Sequence, residues 1–438
     1  MRYIAIDLGS SFIKGAVLDL EARSFGQARR APFPEPLAGL PERRYEVDPG
    51  AVVAATRALI GELLELAPDC AGLVMCSQMH SLVLADSSGA ALSNAITWRD
   101  QRAVDPHPGG GSIFDNLARQ LSGDERQALG NELRPGLPLC ALFWMAERGA
   151  LPQGATPAAL PDFVLGQLCG APVPSEPTIA AAQGALDLRA GDWSWPLLDR
   201  LGLGRLRWPA IARPGQRIGE LRLGGRTLRC YPAIGDQQCA LLGAALAPGE
   251  LSLNIATGSQ VSLLRDTLTS GDYQARPFFG GRWLSTITHI PAGRALDALV
   301  RLLTELPAAQ GLAAPDPWGY IARAVAATDA SDLEIDLAFF ASALGDRGAI
   351  GNIHEGNLTV GHLFRAAFER MAATYANCAR RLAPAGGWER LVFSGGLAQS
   401  LPILREMIAQ RFGAGYRVCE TPEDTLQGLL AYALLCSG

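Results

Sequence analysis

Asp7 ends the alternating run YIAIDL (3–8) and is followed at once by Gly9-Ser10-Ser11. A second alternating run, FIKGAVLDL (12–20), comes next, so the pattern predicts two strands around a tight small-residue turn. Successive backbone N–H groups in such a turn can cradle an anion. An ordinary edge hairpin, or an aspartate that merely caps the turn, is the plainer alternative. Thr257-Gly258-Ser259 sits at the turn of a second hairpin pattern, 251–266, and could form a like cradle. Farther on, the strand-like Leu391-Val392-Phe393 runs into Ser394-Gly395-Gly396 and a helix pattern over 402–412. Strand, Gly-Gly and helix together can anchor a nucleotide, because glycine lets a ligand approach the backbone and a helix N-terminus favours negative charge. The Gly-Gly step also occurs as a purely structural turn. Asp236 precedes a small, apolar helix pattern, 237–247, where an aspartate can act chemically, cap the helix, or do both.

Lys14 is the single lysine; the other 37 of the 38 basic residues are arginine. Genome composition alone would produce that imbalance. The sharper reading is that a compact ammonium is wanted at this point, since lysine and arginine differ in shape and hydration. The five histidines (80, 107, 289, 354, 362) show no metal-ligand spacing, and the nine scattered cysteines form no CxxC pair. Free thiols in a reducing compartment are expected, and no protein-bound zinc.

The elements that must position these residues are legible in outline. Asp48-Pro49 opens an amphipathic helix over 51–66, and Leu73–Ser77 and Leu82–Asp86 read as strands around Gln78-Met79-His80. Residues 103–112 read as a loop. The stretch 113–150 is helical in tone with a break at Pro135-Gly136, and GELRLGGRTLRCYPAIG reads as a hairpin. A helix pattern covers 358–382, and a final one, 425–435, begins with a cap-like TPED. The two small-residue hairpins lie 249 residues apart (9 and 258), which suggests an internal duplication of a β-rich unit. The domain boundary is expected near 232, giving 1–232 and 233–438.

Length and composition bound the rest. The 438 residues suggest two to four domains, and 48% apolar content supports a sizeable core. A net charge of −5 without a basic run argues against nucleic acid or an anionic membrane as partner. The apolar runs fall far short of a membrane span. MRYIAIDLG shows no apolar export segment, so a cytoplasmic location is expected.

Taken in order, these motifs resemble the FGGY carbohydrate kinases, within the actin-like ATPase superfamily, along essentially the whole chain. Asp7-Leu8-Gly9-Ser10-Ser11 with Lys14 resembles the first phosphate hairpin, and Ser77-Gln78-Met79-His80-Ser81 the sugar loop of xylulokinases. The segment 96–102, ITWRDQR, is similar to the family's WxDxR-like stretch, and Gly235-Asp236-Gln237-Gln238 to the loop with the catalytic aspartate. Thr257-Gly258-Ser259 resembles the second phosphate hairpin, and Ser394-Gly395-Gly396 the adenosine motif. The segments 160–170, GDQQCALL, LNIATGSQV and Pro291–Arg294 resemble sedoheptulokinase, whereas 79–82 and 96–98 also resemble gluconokinases. Ala141 departs from the lysine usual in one family signature, and the region near Asn352 and Ile353 lacks the glycine-bearing head of another.

The resemblance implies an α/β fold of two ribonuclease-H-like domains with a cleft between them, and an ATP- and Mg²⁺-dependent transfer to a sugar hydroxyl. It implies Asp236 as general base, with Gln78, Met79, His80 and Gln237 as sugar contacts. For His80 the plainer reading is a polar residue satisfied within the fold. Asp7 would hold Mg²⁺, and Lys14 would neutralise developing charge. Gly9, Ser10, Ser11, Thr257, Gly258, Ser259, Gly395, Gly396 and Gln399 would hold ATP. The expected sugar lining offers no arginine, which favours a neutral ketose, with sedoheptulose first and xylulose next. Arg99 and Arg102 would be the clamps if a sugar acid such as gluconate were the substrate. A homodimer is one allowed assembly. A non-catalytic sugar sensor and an actin-like or chaperone ATPase are the competing classes.

Overall fold

The computed structural model describes every residue except 214, 313–315, 343, 420, 422 and 438. It divides into two compact units. The first comprises residues 1–245, 275–283 and 423–438, and the second 246–274 and 284–422. Asp236 therefore folds with the first unit.

The first unit is built on a sheet whose central order is β4-β5-β3-β1-β2, from β1 (Arg2–Leu8), β2 (Phe12–Asp19), β3 (Gly72–Ser77), β4 (Gly219–Leu223) and β5 (Arg226–Cys230). β1 and β2 form the expected antiparallel hairpin, and β1 runs parallel to β3. β3 is buried throughout and β1 at all but its first residue, which accounts for their near-continuous apolar sequences. Helix α1 (Pro49–Leu66) packs on this hairpin. It starts two residues earlier than its periodicity indicates, because Asp48 caps it by accepting from Gly50 N (2.8 Å) and Pro49 suits the first turn. The short strand β6 (Ile234–Gly235) pairs in parallel with the end of β3 and leads into helix α2 (Asp236–Gly243). The closing helix, Asp424–Ser437, packs against α2 and the β1–β3 layer. The 113–150 stretch resolves into helices Ile113–Gln120, Gly123–Ala128 and Pro138–Glu147.

The second unit repeats the plan. β7 (Glu250–Ile255) and β8 (Gly258–Arg265) form an antiparallel hairpin, shown at one side by β9 (Trp283–Pro291). Helices α3 (Gly293–Ala309), α4 (Pro317–Ala326) and α5 (Val360–Leu382) follow. β10 (Arg390–Ser394) lies parallel to β7, and α6 (Gly396–Ser400), α7 (Pro402–Phe412) and β11 (Gly415–Val418) complete the unit. The α5 face bearing Phe364, Phe368, Met371 and Tyr375 fills the core over this sheet. The cap-like TPED includes residue 422, which lies outside the described residues.

Candidate active site

In the first unit the chemistry-bearing residues gather at the carboxyl ends of the parallel strands, the place where open α/β sheets bind ligands. Asp7 is the next-to-last residue of β1, Gln78-Met79-His80 follow β3 directly, and Asp236 follows β6. The hairpin register sets Asp7 opposite Lys14, so the two side chains share a face. Lys14 Nζ lies 4.0 Å from Asp7 Oδ2 and 3.1 Å from Glu423 Oε2. Thr425 Oγ1 donates to Asp7 Oδ2 at 2.7 Å. Arg30 completes the group by donating to Glu423. Glu423 and Thr425 escape the sequence reading because TPED looks like an ordinary helix cap; its acidic residue instead reaches back across the fold to Lys14.

Gly9 is required at the turn. Its N–H donates to Phe12 O (3.1 Å), and a Cβ there would stand 2.8 Å from the same oxygen.

Burial governs the electrostatics. It raises the pKa of Asp7, opposed by the Thr425 hydrogen bond and Lys14. The Asp236 carboxyl is pushed up to about 7, first by burial of its surroundings and then by the charge of Asp7; the Gln237 N–H and Arg276 oppose the rise. Burial also lifts Asp424, to about 6. Two interacting carboxyls with raised pKa values are suited to proton transfer near neutrality and to contact with a hard cation. A chain of hydrogen bonds steadies the strand before Asp236. Glu176 accepts from the backbone N–H (2.7 Å) and hydroxyl of Thr178, and the Thr178 hydroxyl accepts from Gly235 N (2.9 Å).

The expected sugar residues fall into two groups. Met79, Gln237 and Asp236 are brought together: Met79 Sδ lies close to Gly235, and Gln237 N donates to Asp236 Oδ1 at 2.8 Å. His80 is buried and sits at φ 61°, a left-handed conformation rare for a residue with a side chain. Its Nδ1 faces Ala182 O at 2.9 Å, which makes Nδ1 a donor that carries a proton. Gln78 instead bridges loops. Its amide accepts from Trp98 Nε1 (3.1 Å) and donates to Gly9 O (3.4 Å).

The expected lining without arginine does not hold, and neither Arg99 nor Arg102 is the arginine concerned. Arg102 is buried and committed to Asp100 (2.8 Å) and Glu46 (2.5 Å), while Arg99 lies exposed, donating to Tyr45 OH (2.8 Å). It is Arg276 that reaches the group, 3.9 Å from Met79 Sδ and donating to Gln237 Oε1. Nothing in the sequence motifs marks it, because its segment, 275–283, returns to the first unit from within the second half of the chain.

In the second unit a cavity of about 360 Å³ is lined by Thr257, Gly293, Asp297, Trp318, Gly396 and Ser400, among others. It thus joins the expected second hairpin to the expected Gly-Gly motif. Gly395 has φ +88°, and a Cβ there would lie 2.5 Å from Ile255 O, so only glycine fits the crossing. Ser259 is buried, pairs with Ile255 in the hairpin and turns its hydroxyl inward to Tyr375 (2.7 Å), so it supports the turn from behind. Gln399 is not among the lining residues; its amide donates to Cys419 O and Thr421 O. Asp297 and Trp318 belong to no expected motif.

The family model for the FGGY carbohydrate kinase N-terminal domain matches residues 2–243, more than half of the sequence. The chain belongs to the FGGY family of carbohydrate kinases. A glycerol kinase from Paenarthrobacter aurescens is 31% identical over 283 residues, covering 58% of this chain and 52% of that protein. The chain thus spans about half the length of that relative. Among solved structures, a ligand-bound xylulose kinase from Lactobacillus acidophilus has a TM-score of 0.85 at 19% identity, covering 99% of this chain and 88% of the other. A gluconate kinase from the same organism gives the same TM-score, identity and coverages. The two-domain FGGY kinase fold is therefore that of this chain. Among the described residues no helix is long and apolar enough to cross a membrane.

Proposed function

We propose that the protein transfers the γ-phosphate of ATP to a hydroxyl of a neutral polyol, with Asp236 as the general base. The observation that carries this reading is the placement of Asp7 and Asp236 at the strand ends, near enough for the Asp7 charge to act on Asp236, with Lys14 beside Asp7 and Met79 and Gln237 beside Asp236. Phosphoryl transfer demands mainly positioning and charge stabilisation, and a carboxylate near the attacking oxygen meets the remaining need. Asp236 takes the hydroxyl proton; a general base contributes typically ~10²–10⁴-fold. Met79, His80 and Gln237 contact the acceptor. The backbone of Gly9-Ser10-Ser11 receives phosphate oxygens and Lys14 offsets their charge. Thr257, Gly258, Gly395 and Gly396 hold the nucleotide body with Ser259 supporting the turn, and Asp297 and Trp318 extend that set on the strength of the cavity they line.

Among the described residues no three His, Cys, Asp or Glu side chains gather into a metal cage. Mg²⁺ binds through few carboxylates and keeps much of its water, so Asp7 with phosphate and water fits it. When bound, the ion would neutralise charge on the transferred phosphoryl group. In chain order, a division near residue 232 puts the sugar loop and first hairpin before the base, second hairpin and adenosine motif, while Asp236 packs with the first unit. The acceptor is read as a ketose, with sedoheptulose first on the resemblance of 160–170 and xylulose next. A cytoplasmic location completes the proposal.

Coupled ADP-release assays with sedoheptulose, D-xylulose, D-ribulose, glycerol and D-gluconate test the reading. ADP release that depends on a neutral polyol is expected. ATP hydrolysis indifferent to every acceptor would place the protein with the chaperone-like ATPases, and binding without turnover would make it a sensor.

A further inference from the structure

Glu132 and Arg276 are both buried, 5% and 4% exposed. The segment carrying Arg276 is docked by Ala275 N donating to Gly130 O (2.9 Å), two residues before Glu132. The guanidinium then forms a two-pronged pair with Glu132: Nε donates to Oε1, and Nη2 to Oε2 at 3.0 Å. Its remaining amino group, Nη1, donates to Gln237 Oε1. Arginine can only donate, so Gln237 must turn its carbonyl toward Arg276 and its amide nitrogen the other way. Arg134, on the same segment as Glu132, carries a second positive charge beside the pair. Asp236, when ionised, and Asp7 behind it supply further negative charge on the same side.

We propose that Glu132 and Arg276 form a charge-neutral clamp that orients Gln237 toward a neutral polyol and turns away sugar acids. Arg276 acts as a positioning residue. Its charge is spent on Glu132, and buried charges persist only when paired in this way. A substrate carboxylate entering beside Gln237 would find no unbalanced cation and two carboxylates already present. The inference rests on the reading that Met79 and Gln237 face the acceptor.

The test compares kcat and KM for glycerol, D-xylulose, sedoheptulose and D-gluconate in the wild type, Glu132→Gln, Arg276→Met and the double variant Glu132→Leu/Arg276→Met. Circular dichroism and thermal melts establish folding. Glu132→Gln keeps the guanidinium but removes its counter-charge. The ratio of kcat/KM for gluconate over the best polyol should rise on the order of tenfold. Arg276→Met should raise the polyol KM more than it lowers kcat, leave the ATP KM unchanged, and give no gain toward gluconate. The double variant, free of both charges, should show no gain either. A wild type that prefers gluconate overturns the clamp, as does a folded Glu132→Gln with an unchanged ratio. Should Glu132→Gln not fold, an unchanged polyol KM in Arg276→Met overturns it equally. Asp236→Asn run alongside keeps the two readings apart, since near-normal turnover there sinks the site assignment and not merely the clamp.

Discussion

The hairpins that open the two units share a backbone plan and differ in charge. In the first, Asp7 pairs across the strands with Lys14 and lies beside Cys76 of the parallel neighbour. In the second, Asn254 occupies the matching place, pairs with Gln260, and lies beside Ser394, donating to its hydroxyl at 3.1 Å. One scaffold thus holds a half-buried ion pair in one copy and a neutral amide in the other. The same burial that raises Asp7 and Asp236 has no titratable group to act on at Asn254. The contrast teaches that the fold itself does not fix the chemistry: charge is concentrated where bonds would be made, and uncharged hydrogen bonding is kept where a nucleotide body would rest.

The largest effect should come from making the first hairpin resemble the second. Asp7→Asn preserves size and a partner for Thr425 but removes the charge; kcat should fall by at least ~10²-fold, with a higher Mg²⁺ concentration needed for half-maximal rate. Titrating Mg²⁺ in a steady-state assay checks this, and wild-type Mg²⁺ dependence would erase the proposed distinction. The reciprocal change should be small. Asn254→Ala removes one hydrogen bond, worth about 0.5–1.5 kcal/mol. The ATP KM should therefore rise by about tenfold at most, with the Mg²⁺ response unaltered. A collapse of kcat in that variant would show that the neutral hairpin also serves the chemistry.

Much of this scaffold is legible in the sequence, because buried strands and amphipathic helices leave strong periodic traces. The hairpins at Asp7 and Thr257, the helix at 402–412 and the strand before Gly395 all form where their patterns indicate. Long-range partners left no such trace. Glu423 meets Lys14 across 409 residues, and Glu132 meets Arg276 across 144. Neither contact alters the local pattern around either residue. Gln78 shows the converse limit: its place in a sugar-loop motif was plain, but Trp98 and Gly9 engage both ends of its amide. The segment 96–102 resembles a family stretch, and its Arg99 and Arg102 are expected at the substrate only if that is a sugar acid. Its buried Asp100 accepts from Tyr45 N (2.8 Å) and from Arg102, which makes a loop-locking knot instead.

The base assignment is tested most directly by acceptor-dependent ADP release measured from pH 5 to 9 for the wild type and Asp236→Asn. Asp236 must be ionised to accept a proton, and its pKa stands near 7. Wild-type kcat/KM should therefore be highest above pH 7 and fall toward tenfold per pH unit below it. Asp236→Asn, folded as judged by circular dichroism, should lose at least ~10²-fold in turnover together with that acid limb. Turnover near the wild-type level, with the limb still centred near pH 7, would contradict the assignment of Asp236 as the base.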